Sequence, residues 1–321
     1  MIKPSTFGKI ATAALALAGT AAGAQSTQPL DGCSSARIAQ RFTEFGKTGK
    51  MPKDLGQWLN NPEQQAIEPW KAFDNVDYVG ICWVSAWLVH TSDGVVLIDT
   101  LYGQFTDTLI DNIKAMGVNL DDIKYVLMTH GHFDHVGGAA QLKPLLPNAR
   151  FVMTQAGWDE AAEGAAETDK GPNAFDMIEP DMVVEDGDDI TLGDETFTVM
   201  ETPGHTWGTA SYLYDVKDGD QTYRAITIGG LGLNAIDGPS QVEAYIDSVD
   251  KVEQKVEDAG EEVKVHLSTH GFSNNLYEKH LKLKDRQPGD PNPLVDQQGL
   301  KDQLDSLRDG ATDRLEEETK E

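Results

Sequence analysis

Thr129-His130-Gly131-His132-Phe133-Asp134-His135 places four potential metal ligands within six residues, directly after the apolar run Tyr125-Val126-Leu127-Met128. The apolar run reads as a short buried strand, so the ligands fall in the loop at its end. Three imidazoles and a carboxylate this close would repel one another, or waste buried polarity, unless a cation organised them. Neutral imidazole together with carboxylate suits zinc or a similar divalent ion.

The rest of the chain supplies further ligands. His205 lies in Thr202-Pro203-Gly204-His205-Thr206, just after an expected strand over 195–200. His270 follows an expected strand over 263–267. Five of the eight histidines thus sit at strand ends, where a rigid sheet can aim them. His90, His266 and His280 read as structural or surface residues.

The first residues read as a targeting segment. Lys3 and Lys9 precede an apolar stretch over 10–22, and Ala22-Gly23-Ala24 has the small-x-small pattern of a cleavage site. That stretch falls short of the roughly 20 residues a membrane span needs. A signal peptide over 1–24, and a periplasmic or secreted mature protein, are therefore expected. No other apolar run is long enough to span a bilayer. The net charge of −27 makes nucleic acid and anionic membranes poor partners. Cys33 and Cys82 can form one disulfide in an oxidising compartment or remain two thiols. Neither lies near the histidine cluster in sequence.

Residues 25–75 are polar and read as an extension with short helices. Strands are expected from Asn75, with a hairpin joining 81–89 and 95–99 across Ser92-Asp93-Gly94. Helices are expected over 105–116, 136–146 and 241–257, and a long loop over 164–180. Further strands are expected over 150–153, 182–184, 210–214 and 223–228. From about Gln287 the chain is highly charged and expected to end in a helix. The pattern suits helices outside two central sheets.

His-x-His-x-Asp-His, Pro-Gly-His-Thr and the late Thr269-His270 together resemble the metallo-β-lactamase fold superfamily over residues 74–280. The resemblance implies an α/β chain folded as a four-layer αβ/βα sandwich, with a two-metal site at one edge and a hydrolytic activity. It divides the chain into a signal peptide (1–24), an N-terminal extension (25–73), a hydrolase domain (74–285) and a charged C-terminal tail (286–321). Many members bridge their metals with an aspartate after a late strand. Here that strand runs into Gly229-Gly230-Leu231-Gly232, which offers no carboxylate. The chain is therefore most similar to the third-subclass (B3) metallo-β-lactamases, and Ser273-Asn274-Asn275-Leu276-Tyr277 resembles them too. The resemblance implies two zinc ions, one on His130, His132 and His205 and one on Asp134, His135 and His270.

It also implies the chemistry. Two divalent ions about 3.5–4 Å apart can share a water, lower its pKa to near neutrality, and direct the resulting hydroxide at a carbonyl. Asp134 would fix the second metal and orient the water, so no protein nucleophile is needed. Asp99 reads either as an orienting partner for an imidazole or as a strand-end cap. Gly137, Gly138 and Gly204 read as close backbone turns. In the B3 subclass, serines after the late strand help hold the substrate carboxylate, and Leu231 and Leu233 stand there instead. A buried carboxylate short of partners costs on the order of 1–3 kcal/mol. Those leucines, with Trp207 and Phe105, are the candidate substrate contacts; Trp158 and Phe175 are further rim candidates, with ordinary packing as the alternative for each aromatic. The expected function is an exported two-zinc hydrolase acting on a small-molecule carbonyl. A β-lactam ring stands narrowly ahead of a lactone, ester or other small amide, with a non-catalytic metal binder as the reading from another class. Oligomeric state is left open.

Overall fold

The computed structural model describes residue 30 and residues 32–48, 50–167, 171 and 173–319. The expected signal peptide lies outside the described residues. A first group of elements comprises α1 (Ser35–Thr48), α2 (Lys53–Leu59), α3 (Pro62–Gln65), β1 (Trp70–Phe73), β2 (Val76–Tyr78), β3 (Trp87–Thr91), β4 (Gly94–Ile98), α4 (Phe105–Ala115) and β5 (Ile123–Leu127). Next come α5 (Phe133–Val136), α6 (Ala139–Leu142), β6 (Arg150–Thr154), α7 (Gln155–Glu167), β7 (Met182–Val184), β8 (Asp189–Leu192), β9 (Glu195–Glu201), β10 (Ala210–Asp218) and β11 (Gln221–Thr227). α8 (Pro239–Glu257), β12 (Val263–His266), α9 (Leu276–Lys284) and α10 (Gln297–Glu318) complete the chain.

Seven strands form one sheet in the order β1-β2-β3-β4-β5-β6-β7, and five form another in the order β12-β11-β10-β9-β8. The first sheet is antiparallel from β1 to β4 and parallel from β4 to β7. The second is antiparallel except for β11 and β12, which run parallel and are joined through α8. A parallel pair needs such a crossover because a short turn cannot return the chain to the same end.

Period-two side-chain alternation sorts the apolar residues into layers. Leu88, Leu97, Val126 and Phe151 face α4, α6 and α7 in one core. Their neighbours Trp87, Val89, Val96, Ile98, Leu127 and Val152 meet Phe197, Val199, Tyr212 and Tyr214 between the sheets. Leu213, Ile226 and Val263 face Val242, Val249 and Val252 of α8, together with Leu300 and Leu304 of α10. Helix, sheet, sheet, helix is the expected four-layer αβ/βα sandwich.

Several boundaries differ from expectation. The first sheet starts at Trp70, ahead of Asn75 and of the expected domain start at residue 74, so β1 belongs to the sandwich. The stretch before it is packed rather than appended: Leu55 and Trp58 are fully buried, with Ile38, around the Cys33–Cys82 disulfide. The expected helix over 136–146 is broken into α5, α6 and a 3-10 turn, with Gly137 and Gly138 between α5 and α6. A Cβ at Gly137 would strike the Phe133 carbonyl, and one at Gly138 the Thr100 carbonyl, so both glycines are required by close backbone approach. The expected loop over 164–180 begins inside α7. The expected C-terminal tail carries α10, whose Leu300, Leu304, Leu307 and Ala311 are buried against α8 and the second sheet. Among the described residues, no helix is long and apolar enough to cross a membrane.

Candidate metal centre

Six candidate ligands follow the carboxyl ends of β5, β9 and β12 at one edge of the sandwich, Asp134 and His135 on the short α5 and the others in loops. Local packing fixes each loop. A Cβ on Gly131 would lie 2.7 Å from the Ala161 amide nitrogen, so glycine lets the His130–His132 turn press onto α7. Gly204 has φ +140°, and its Cα is packed against the Tyr245 backbone of α8, which directs the chain into His205.

The ligand atoms converge in two triads. His130 Nε2 lies 3.1 Å from His132 Nδ1, which lies 3.0 Å from His205 Nε2. His135 Nε2 lies 3.3 Å from His270 Nε2 and 3.2 Å from Asp134 Oδ2, and His270 Nε2 is 3.5 Å from the same oxygen. Within each triad all ligand atoms lie within 4.8 Å of one another. Three imidazole nitrogens cannot all satisfy one another by hydrogen bonding, because each neutral ring has one donor and one acceptor. A cation satisfies all three lone pairs, so the donor set fits a divalent metal in each triad.

The far ring nitrogens of His130, His135, His205 and His270 are held, which turns the other nitrogen of each ring toward its triad. His205 Nδ1 donates to the Gly232 carbonyl at 2.5 Å, and His270 Nδ1 to the Trp83 carbonyl at 3.0 Å. His135 Nδ1 donates to Asp99 Oδ2 at 2.8 Å. Thr129 donates both its amide and its hydroxyl to Asp99, at 2.8 and 3.0 Å. Having spent its proton, the Thr129 hydroxyl accepts from His130 Nδ1 at 3.1 Å. Asp99 therefore orients imidazoles in both triads, one directly and one through Thr129. It does so from φ +61°, a left-handed conformation that aspartate tolerates better than most residues.

Burial and electrostatics agree with this division. Burial and the neighbouring imidazoles push His130 well below the usual histidine range and hold His205 down at about 3. Burial likewise lowers His270 to about 4. His135 goes the other way: burial opposes it, but the carboxylates of Asp134 and Asp99 raise it to about 10. Asp134, although buried, is held well below the usual carboxylate range by His135, His270 and His132. The second triad thus buries an ionised Asp134 beside a protonated His135, and a metal ion held there would replace that proton as the carboxylate's partner.

The other candidates fare unevenly. Trp207 is 52% exposed on the loop after His205. Phe105 is 1% exposed inside the core beneath the first sheet, so it is packing and not substrate contact. Trp158 belongs to that core too, and Phe175 packs against it. Leu231 is buried with Ile236, Val242 and Tyr245, and Leu233 packs against the same cluster. Both leucines stabilise the loop behind His205, where a Cβ on Gly230 would strike the imidazole. Among the remaining histidines, His90 pairs with Asp77 at 2.6 Å, His266 meets Gln303 at 3.0 Å and His280 packs on Trp70. The Trp83 and Gly232 carbonyls and Thr129 escape a reading by ligand type; only Thr129, adjacent to His130, had a signal in the sequence.

A family model described as the metallo-beta-lactamase superfamily matches residues 79–259, more than half of the chain. The chain belongs to this superfamily. Among solved structures, a subclass B3 metallo-beta-lactamase of Bradyrhizobium japonicum is 29% identical over 79% of this chain and 96% of that one, with a TM-score of 0.69. A mutant metallo-beta-lactamase from Cronobacter sakazakii is 27% identical over 80% of this chain and 100% of that one, with a TM-score of 0.70. A hydroxyacylglutathione hydrolase of Photobacterium profundum is 33% identical over 132 residues, 41% of this chain and 43% of that protein. The chain spans half or less of the length of the curated relatives it matches first. Superfamily membership and the six converging ligands agree with each other, since a metal-dependent hydrolase of this fold needs both sheets to bring its ligands to one edge.

Proposed function

We propose that this protein is an exported two-zinc hydrolase that opens a small carbonyl substrate, with a β-lactam ring as the first choice. The observation that carries the reading is the pair of triads, His130–His132–His205 and Asp134–His135–His270, whose ligand atoms converge with the outer nitrogens of His130, His135, His205 and His270 already engaged. The likeness to a subclass B3 metallo-beta-lactamase over most of both chains supports the choice of ring. The Cys33–Cys82 disulfide suits an oxidising compartment and supports export.

Bound there, two divalent ions would supply Lewis acidity toward the carbonyl and an acidified water. The chain's own residues do the rest. Four of the five imidazoles, those of His130, His135, His205 and His270, have their outer nitrogens engaged, which turns the other nitrogen toward the centre, and His135 gives up a proton there as metal binds. Asp134 stays ionised and contributes the carboxylate that sets the second triad apart in charge. Exposed Trp207, two residues after His205, is the apolar side chain assigned to substrate contact.

One observation favours a second reading, hydrolysis of a thioester, lactone or ester. Stretches of curated hydroxyacylglutathione hydrolases match this chain at about one third identity. Turnover of a β-lactam panel and a thioester and lactone panel by the zinc-loaded mature protein, each with a chelated control, separates the two. Chelator-sensitive β-lactam opening with kcat/KM above about 10⁴ M⁻¹s⁻¹ supports the first reading. Turnover confined to the other panel replaces it with the second.

A further inference from the structure

His270 is supported differently from the other ligands. Its Nδ1 donates to the Trp83 carbonyl at 3.0 Å, and its ring stacks on the Trp83 indole, 5.6 Å between centroids and 27° between planes. Phe272 packs near the same imidazole at 5.9 Å. Trp83 itself lies in the loop between β2 and β3 and not in a strand.

What holds Trp83 is the N-terminal segment. The Trp83 amide donates to Gln65 Oε1 at 3.0 Å, and the Cys82 amide to the Gln65 carbonyl at 2.9 Å. Gln65 is fully buried and donates in turn to the Trp58 carbonyl. Cys82, next to Trp83, is bonded to Cys33 just before α1. From α1, Phe42 stacks on Phe272 at 5.1 Å and lies 6.4 Å from Trp83. Ser35 donates its amide and hydroxyl to Glu278 of α9. The supports of the other triad come from elsewhere: Gly232 follows β11, while Thr129 and Asp99 follow β5 and β4.

We propose that the N-terminal segment, through the Cys33–Cys82 disulfide, Phe42 and Trp83, positions His270 and thereby sets the metal affinity of the Asp134–His135–His270 site separately from that of the His130–His132–His205 site. The inference rests on the reading that both triads hold metal. Trp83 acts as a positioning residue, since it touches a ligand and not the reacting atoms. Losing the support of one ligand in three weakens a site without abolishing it, because Asp99 still holds His135.

The test is a zinc titration of the full chain against a chromophoric chelator, resolving two stepwise dissociation constants. It compares the unaltered protein with Cys33→Ser/Cys82→Ser, Phe42→Ala and Phe42→Tyr. The weaker support in the double variant and in Phe42→Ala should raise one constant by about tenfold, the lower end of the range for loss of a ligand's outer partner because the Trp83 carbonyl itself remains, and leave the other within about threefold. Phe42→Tyr, which keeps the stacking ring, should titrate like the unaltered protein. Near-ultraviolet circular dichroism reports whether each variant is folded; if the double variant is not, Phe42→Ala carries the test. Two unchanged constants in a folded Phe42→Ala protein, or two constants weakened equally, would overturn the inference while leaving the two-metal reading in place. Fewer than two zinc ions on the unaltered protein would overturn both.

Discussion

Asp99 joins the two triads through a single carboxylate. Its Oδ2 accepts from His135 Nδ1 and from the Thr129 hydroxyl that steadies His130. Asp99→Asn keeps the shape but offers one acceptor oxygen where two are used. Both zinc constants are therefore expected to weaken, the His135 site more, by roughly 10–100-fold. A chelator competition titration reads this, and an unchanged His135 site would show that Asp99 is only a strand-end cap. The same carboxylate gives a pH signature. In the metal-free protein His135 is raised to about 10, so at neutral pH it keeps a proton that metal must displace. Affinity at the second triad should then rise with pH through neutrality and level off near pH 10. Calorimetry in two buffers of different ionisation enthalpy should register about one proton released as that site fills. Release of none would mean His135 is already neutral.

At the scale of elements, the ligands were legible because ligand chemistry is written in side chains. His130, His132, Asp134 and His135 follow one strand, and His205 and His270 follow two others, so type and position could be read together. Their outer partners were less so: Gly232 and Trp83 act through backbone carbonyls, which every residue has. α7 was missed because its buried residues are Gly157, Trp158 and Ala161, and two small residues make no apolar stripe. α10 is the helix expected in the charged tail, and what its charge hides is the packing of Leu300, Leu304, Leu307 and Ala311, which keep helical spacing. That helix also braces a loop behind the His130–His132–His205 triad. Arg314 donates to the Leu233 and Ile236 carbonyls, bracing the loop whose Gly232 carbonyl receives His205. Arg314→Ala should weaken the His130–His132–His205 site and spare the other, the mirror image of the expectation for Phe42→Ala. Equal zinc constants before and after the change would reduce Arg314 to a surface brace. Leu304→Ala, which empties a site in the core under α10, should cost about 2–5 kcal/mol of unfolding free energy in a denaturant titration. A cost near zero would return α10 to the status of an appended tail.

At the scale of the whole molecule, acid should be the metal-free protein's weakness. His205 and His266 are held near 3 and His270 near 4, in each case chiefly by burial. An unfolded chain would protonate all of them near 6.5. Between about 6.5 and 3 the unfolded state binds more protons than the folded one, so stability rises with pH across that window and is lost as pH falls through it. Asp134 adds to the same limb at its lower end, since a depressed carboxylate stabilises above its unfolded value and loses that contribution on acidification. His135 works at the other end. Raised to about 10, it contributes fully below 6.5 and its contribution fades as pH rises toward 10. The metal-free protein should therefore be most stable near neutrality and fall away on both sides. Zinc held on the two triads would change the acid limb, because protonation would then compete with coordination and drive metal release before unfolding. Denaturant midpoints measured from pH 4 to pH 10, with and without zinc, test this. The expected result is a metal-free maximum near pH 6.5–7 and a zinc-dependent increment that shrinks toward pH 4. A metal-free midpoint that stays flat from pH 7 to pH 4 would mean the histidines are not held neutral, and the buried, pre-oriented centre would have to be given up.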